Sequence, residues 1–282
     1  MAKILLTGAS GFIGKALLEY LNIRGNQVVA ISIRGEINQD LNGFDAVIHL
    51  AGESLVPGRW TKAKRAKILA SRIEGTSKLA KALSIVPQPP KVFLSASAVG
   101  FYGDRNEELL TEISGPGGNF LAHVCEAWEA ATAPLKTCGT RIVWARFAIV
   151  LGRDGGALKQ LLIPTKLGMG AILGTGEQWM SFITRSDLIQ AIDFILKTKS
   201  LSGPVNLCAP TPIQQKDFIA TLAIALNTKA FLKIPNWLVH ILFGQMGDEM
   251  LLASARVIPE KLLRAGFIFT SPNLEQAFKK CL

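Results

Sequence analysis

The stretch Lys3-Ile4-Leu5-Leu6-Thr7-Gly8-Ala9-Ser10-Gly11-Phe12-Ile13-Gly14 decides how this chain folds. A short apolar run meets a glycine-rich turn, and a helical pattern follows from Phe12 to Arg24 with Gly25 placed as its stop. The order is strand, turn, helix. Gly8 permits the tight turn, Gly11 lets main chain approach a pyrophosphate, and Gly14 lets helix and strand pack closely while the helix N-terminus faces the anion. Gly8, Ser10, Gly11, Phe12, Ile13 and Gly14 are therefore expected to bind a dinucleotide. A magnesium-nucleotide P-loop is the nearest rival because of Gly14-Lys15. It fails because Ala9 stands where its first glycine is required and Ala16 where Ser or Thr must hold the metal.

Working outward, Gln27 to Ile33, Asp45 to Ala51, Lys91 to Ser97 and Arg141 to Val150 are continuous apolar runs, the pattern of strands covered on both faces. Helical patterns fit between them: Lys62 to Leu83 stops before Pro87-Gln88-Pro89-Pro90, and Phe120 to Ala133 stops at Pro134. Alternating strands and helices predict a doubly wound α/β fold on a parallel sheet. After Gly152 the texture turns glycine-rich, with helical patterns at Ala157 to Leu167, Asp187 to Lys199, Gln215 to Leu226 and Trp237 to Ala253. An apolar segment, Ala265 to Phe269, and a short final helix close the chain. We expect a cofactor-binding domain over 1–153 and a smaller α+β substrate domain over 154–282. Val205 to Ala209 reads as a strand that returns to the first sheet, so that the two interleave.

The chain has 282 residues, 49% apolar and 18% charged, enough to bury a sizeable core and unlike a disordered or disulfide-scaffolded protein. Lys plus Arg exceed Asp plus Glu by 31 − 21 = 10, which favours anions such as phosphates, nucleotides or acidic lipid headgroups at the surface, and charge alone does not choose among them. Cysteines at 125, 138, 208 and 281 and histidines at 49, 123 and 240 are scattered, so no sequence-local metal site and no disulfide framework is expected. The first apolar run is too short for a secretory leader, and no run reaches the roughly 18 residues of a membrane span. A soluble, cytoplasmic protein without a membrane partner is predicted. Lys62, Lys64, Arg65 and Lys67 form a basic run with no interleaved aromatic beyond Trp60, which reads as a solvated helix face and not a nucleic-acid surface.

NAD sites usually place an acid about 20 residues beyond the glycines, at the end of the second strand. Ser32, Ile33 and Arg34 occupy that place. A hydroxyl and a guanidinium suit a 2′-phosphate, which favours NADP, while Glu36 keeps NAD open.

Further motifs follow in order: His49-Leu50-Ala51-Gly52, Gly75-Thr76, Ser95-Ala96-Ser97 leading to Tyr102-Gly103, Arg146 with Val150-Leu151-Gly152, and Gly174-x-Gly176-x-Gln178 ahead of Asp187-Leu188. Together they resemble an extended short-chain dehydrogenase/reductase of the nucleotide-sugar-epimerase type. Arg59-Trp60, Ser71 to Thr76, Trp128-Glu129, Gly155-Gly156-Ala157 and the stretch from Ala230 to Phe269 are similar, more narrowly, to its atypical "epimerase family" branch. The resemblance implies a Rossmann domain with NADP and a small C-terminal domain. It adds Leu50, Ala51, Gly52 and Val150 to the cofactor residues and points to Gln178, Trp179 and Ser181 as lining a cleft for a small substrate.

The chain departs from that superfamily where its chemistry should lie. A catalytic Tyr followed four residues later by Lys is absent, and the matching helix positions are Leu121 and Cys125. Ser97 matches the family's catalytic Ser but can equally be a structural cap, and Tyr102 can reach the same pocket without a lysine to lower its pKa. Cys125 reads as a small apolar residue, His123 as a surface neighbour, and Asp104, Glu107, Glu108 and Glu112 as an exposed acidic loop. Arg72 stands where extended relatives carry Asn, and can pair with cofactor phosphates or lie on the basic helix face. Two functions are expected from these residues: an NADP(H)-dependent oxidoreductase or epimerase-like enzyme, or an NADP(H)-binding sensor without catalysis.

Overall fold

The computed structural model describes residues 1–56, 58–230 and 232–282; Phe231, inside the Ala230 to Phe269 stretch, lies outside them. Six parallel strands form the main sheet: β1 (Lys3–Thr7), β2 (Gln27–Ile31), β3 (Ala46–His49), β4 (Val92–Ala98), β5 (Arg141–Phe147) and β6 (Gly203–Leu207). Their spatial order is β6-β5-β4-β3-β1-β2, so the chain reverses direction across the sheet between β1 and β3. That reversal is where a doubly wound sheet opens a crevice at the strands' carboxyl ends.

Alternation along each strand sorts the core into two layers. Ile4, Leu6, Ile48, Leu94, Val143, Ala145, Val205 and Leu207 face one way, against Leu17 and Leu21 of α1 (Phe12–Ile23) and Leu188, Ile192 and Ile195 of α5 (Arg185–Lys197). Leu5, Val47 and Phe93 face the other way, against Leu79 and Leu83 of α2 (Lys62–Ser84) and Leu135. On this second face α3 (Phe120–Ala130) also packs beside β4. The central strands β1, β3 and β4 are covered on both faces, while β2 at the sheet edge is partly exposed.

Two elements differ from the sequence expectation. The run from Arg141 to Val150 splits at Ala148, whose N–H donates to Leu207 O, while Ile149 N–H donates to Ser181 O. Ile149–Gly152 thereby leaves the main sheet, pairs in parallel with Phe182–Thr184 and leads into α4 (Gly156–Lys166). The helical pattern from Trp237 to Ala253 breaks after Asn236–Phe243, because Gly244 takes φ of 59°, and a π-helical turn covers Asp248–Leu252. Val205–Leu207 does join the main sheet, beside β5.

The C-terminal segment is tied to α5 by one carboxylate. Asp187 is fully buried and accepts from Thr270 N, Thr270 Oγ1 and Ser271 N. Beyond it Phe267 and Phe269 stack edge to face at 4.8 Å and enter the core over α5. Replacing Asp187 with Ala strands three donors, and a loss of about 3 kcal/mol in urea-unfolding stability is expected; a loss below about 1 kcal/mol would show that the tether does not hold the segment.

Candidate functional site

The glycine-rich turn sits at the reversal point between β1 and β3. Gly11 N–H donates to Gly8 O at 3.0 Å and closes the turn. Gly8 has φ of +76°, and a Cβ there would lie 2.8 Å from Leu50 C and 2.9 Å from Ala51 N. A Cβ on Gly14 would lie 2.1 Å from Gly8 O, so only glycine lets α1 approach β1 this closely. Leu50 and Ala51 thus form the far wall of the turn. Phe12 points away from it and fills the space left by Gly152, Gly155 and Gly156, under the Arg185 guanidinium at 4.7 Å. Val150 O lies 2.6 Å from where a Cβ of Gly156 would stand, which explains a glycine cluster that sequence reading left without a purpose.

At the end of β2, Ser32 and Arg34 are exposed and Arg34 N–H donates to Ser32 Oγ at 3.2 Å. Ile33 turns inward, its Cδ1 2.8 Å from a notional Cβ on Gly75 of α2. Arg72 does not lie on the solvated helix face with Lys62 and Lys67. Its Nη1 donates to Glu53 O and Ile68 O, its guanidinium stacks over Trp128 at 5.0 Å, and its Cζ is 3.6 Å from the Cβ position of Gly52. Burial lowers its pKa.

Strand register places Ser97, Arg146 and Asn206 side by side across β4, β5 and β6, on the α3 face. Ser97 Oγ donates to Glu129 Oε1 at 2.8 Å; Arg146 Nε donates to the same oxygen at 2.8 Å and Nη2 to Oε2 at 2.9 Å. Arg146 Nη1 donates to Tyr102 Oη at 3.0 Å, and Tyr102 donates to Asn206 Oδ1 at 2.7 Å. Asn206 Nδ2 donates to Ile258 O, which fixes the amide so that Oδ1 must accept. Every member is buried. Burial pushes the Tyr102 phenol up to about 12, against the lowering effects of Arg146 and Asn206. Glu129 is the member that sequence reading quoted without a role; its signal was its place one turn beyond Cys125 on one helix face.

Residues 4–208 match the NAD dependent epimerase/dehydratase family, and 234–281 match a domain of unknown function, DUF1731. The chain belongs to the NAD-dependent epimerase/dehydratase family. It is 35% identical over 291 residues to the human epimerase family protein SDR39U1, covering 99% of each chain. The crystal structure of human SDR39U1 (isoform 2) with NADPH superposes with a TM-score of 0.93 at 33% identity, covering 99% of this chain and 98% of that one. The nucleoside-diphosphate sugar epimerase of Corynebacterium glutamicum gives a TM-score of 0.82 at 31% identity, over 100% of this chain and 58% of that one.

In this member of the epimerase/dehydratase family, other sequence candidates are dispersed. Gln178 Nε2 donates to Leu173 O and Leu251 O, and Ser181 Oγ accepts from Val257 N and has its one hydrogen for Ala255 O or Val257 O, so the amide nitrogen and the hydroxyl are committed to main chain. Trp179 Nε1 has no hydrogen-bond partner among the described residues. Glu112 corrects the expectation of an exposed acidic loop: it is buried, accepts from Asn206 N and Lys261 N, and is raised in pKa by desolvation. Asp104, Glu107 and Glu108 are exposed, as is His123. Cys125 is buried, its thiol pushed up to about 11 by desolvation, which leaves it protonated and unreactive at neutral pH.

Beneath the turn, His49 contacts Thr7 Oγ1 at 2.7 Å and Thr76 Oγ1 at 2.9 Å, and Trp128 Nε1 donates to Thr76 Oγ1. Burial lowers the His49 pKa to about 4. The unfolded chain takes up this proton near pH 6.5 and the native state only near pH 4, so stability is complete above about 6.5 and declines as pH falls toward 4. Denaturant titrations should show about 2 kcal/mol less stability at pH 5 than at pH 7 from this residue. His49→Gln should flatten that difference; an unchanged pH profile would remove His49 as its source.

Proposed function

We propose that the chain binds NADP(H) along the carboxyl edge of the sheet and acts as an NADP(H)-dependent oxidoreductase or epimerase-like enzyme on a small molecule. The observation that carries this reading is the cradle at Gly8, Gly11 and Gly14, in which any Cβ at Gly8 or Gly14 would collide with main chain. A cradle of bare main chain at the start of α1 fits a pyrophosphate. The human relative with 33% identity was crystallised with NADPH, which supports the same cofactor here. Ser32 and Arg34 would face the 2′-phosphate: both are exposed, and the Arg34 side chain makes no hydrogen bond or ion pair among the described residues. Leu50, Ala51 and Gly52 would flank the pyrophosphate, with Arg72 behind Gly52 and Val150 beyond the turn. Residues 1–153 would then serve the cofactor and 154–282 the substrate.

The nicotinamide, when bound, supplies or accepts a hydride. The chain's own residues handle protons differently from a Tyr-Lys pair. An ionised carboxylate only accepts, so Ser97 must direct its hydrogen to Glu129, and the Asn206 amide likewise takes the hydrogen of Tyr102. Neither hydroxyl has a hydrogen left for a substrate oxygen. Ser97 can still accept a hydrogen bond, which suits a substrate that presents an O–H or N–H, and protonation falls to solvent or to the substrate's own groups. The same commitment of both hydroxyls favours a second reading, in which the chain binds NADP(H) as a sensor and transfers no hydride.

Calorimetry should show tighter binding of NADPH than of NADH; equal or tighter binding of NADH would overturn the assignment to Ser32 and Arg34. Arg72→Ala should weaken NADPH binding by about 1 to 3 kcal/mol if its guanidinium reaches the cofactor. Turnover on matched alcohol and carbonyl substrates separates enzyme from sensor. Slow turnover reduced by Ser97→Ala but insensitive to Tyr102→Phe supports the enzyme, tight NADPH binding with no turnover supports the sensor, and turnover abolished by Tyr102→Phe alone would make Tyr102 the proton donor.

A further inference from the structure

Among the described residues, five buried side-chain polar atoms lack a hydrogen-bond partner, and two of them are neighbours: Trp179 Nε1 and Arg256 Nε. The Arg256 guanidinium lies over the Trp179 ring, its Cζ 4.3 Å from the centroid. No carboxylate of the described residues pairs with Arg256, and none of its side-chain nitrogens makes a hydrogen bond. Arg146, which is buried, and the half-buried Arg72 and Arg141 differ: Arg146 holds Glu129, and Arg72 and Arg141 hold main-chain carbonyls. Two adjacent buried donors left without an acceptor carry a desolvation cost that nothing in the chain offsets. A guanidinium cannot relieve that cost by losing its proton.

The frame around them is rigid. Trp179 N donates to Ser254 Oγ at 3.0 Å, Ala255 N donates to Trp179 O at 3.0 Å, and the Arg256 main chain pairs with Leu109 in a short parallel ladder. These bonds fix the main chain from which both side chains project. Of the three substrate positions read from sequence, the Gln178 amide nitrogen and the Ser181 hydroxyl are committed to main chain, and among the described residues Trp179 keeps a buried donor without a partner.

We propose that Trp179 and Arg256 form a recognition site for an anionic oxygen, carried by a carboxylate or a phosphate of a small molecule. An indole N–H and a planar guanidinium packed over the same ring offer donors only, and the ring shields part of the fork from water. Such a set rewards a charged acceptor over a neutral one. The net charge of +10 brings anions to the surface, and the Trp179–Arg256 pair selects among them. The site itself is read independently of NADP(H); only its service to the substrate rests on the function proposed above.

The test uses the full chain labelled with nitrogen-15, whose indole N–H signals come from Trp60, Trp128, Trp144, Trp179 and Trp237. Trp179→Phe identifies the signal of interest. Inorganic phosphate, phenyl phosphate and citrate are titrated at constant ionic strength, with chloride as the control. The Trp179 signal should shift saturably with phosphates or with citrate, the better arm naming the group, and Arg256→Gln should weaken that binding by at least about tenfold. If Arg256→Gln loses its near-ultraviolet circular dichroism, Arg256→Lys carries the comparison, since it keeps the charge and loses the fork. A signal unmoved at tens of millimolar anion, one moved equally by chloride, or one that shifts alike in the Arg256 variants would overturn the proposal. NADPH titrated into the same sample reads the glycine turn separately, so a failure there leaves the anion result standing.

Discussion

The ion pair between Arg146 and Glu129 orders the centre of this molecule. Both ends are buried, and their bidentate contact joins β5 to α3. Through it Ser97 is turned toward the helix, and Tyr102 is held between Arg146 and Asn206, so that β4, β5 and β6 share one polar seam on an otherwise apolar face. A buried pair of this kind is a poor source of net stability, because removing two charges from water costs several kcal/mol per ion. Removing either partner alone would nonetheless leave the other charge buried and unpaired. The pair therefore acts through direction: it decides which way each hydroxyl hydrogen points, and so what the surface above Ser97 can offer to a ligand.

Close approach of main chain to main chain is the second constraint. Gly14 against Gly8 O brings α1 onto β1, while Gly152, Gly155 and Gly156 open the space that Phe12 fills. Phe12 follows Gly11 directly, so the residue that ends the glycine turn on one side anchors the segment after β5 on the other. The turn and the later glycine cluster are parts of one packing arrangement. A side chain added at either place would move both.

The C-terminal half treats its polar groups unevenly. Gln178, Ser181, Asp187 and Glu112 are enclosed and hydrogen-bonded, mostly to main chain, and work as internal ties. Their polar chemistry serves packing. Trp179 and Arg256 break that pattern, being packed against each other with donors unanswered. Packed interiors seldom leave two adjacent donors in this state, and those that do are usually places where something else completes the bonding.

The sequence by itself determined the strand-turn-helix at the N-terminus, because the glycine spacing and the apolar periodicity are local and each has a single steric meaning. It also determined the parallel sheet: runs such as Ala46–His49 and Val92–Ser97 are mostly apolar, without polar alternation at their starts and without a charged residue, which burial on both faces explains. The return of Val205–Leu207 to that sheet was legible for the same reason. Tertiary structure alone decided the rest. Ser97 and Tyr102 could be named from sequence, but the direction of their hydrogens depends on Glu129 and Asn206, which lie 32 and 104 residues away. The burial of Glu112 depends on Asn206 and Lys261, and an acidic stretch carries no local sign of either. Arg256 stands far along the chain from Trp179, and nothing local to either residue announces the other. Periodicity reports which face of an element is buried; it cannot report what a polar group meets there, because that partner is chosen by how the elements pack.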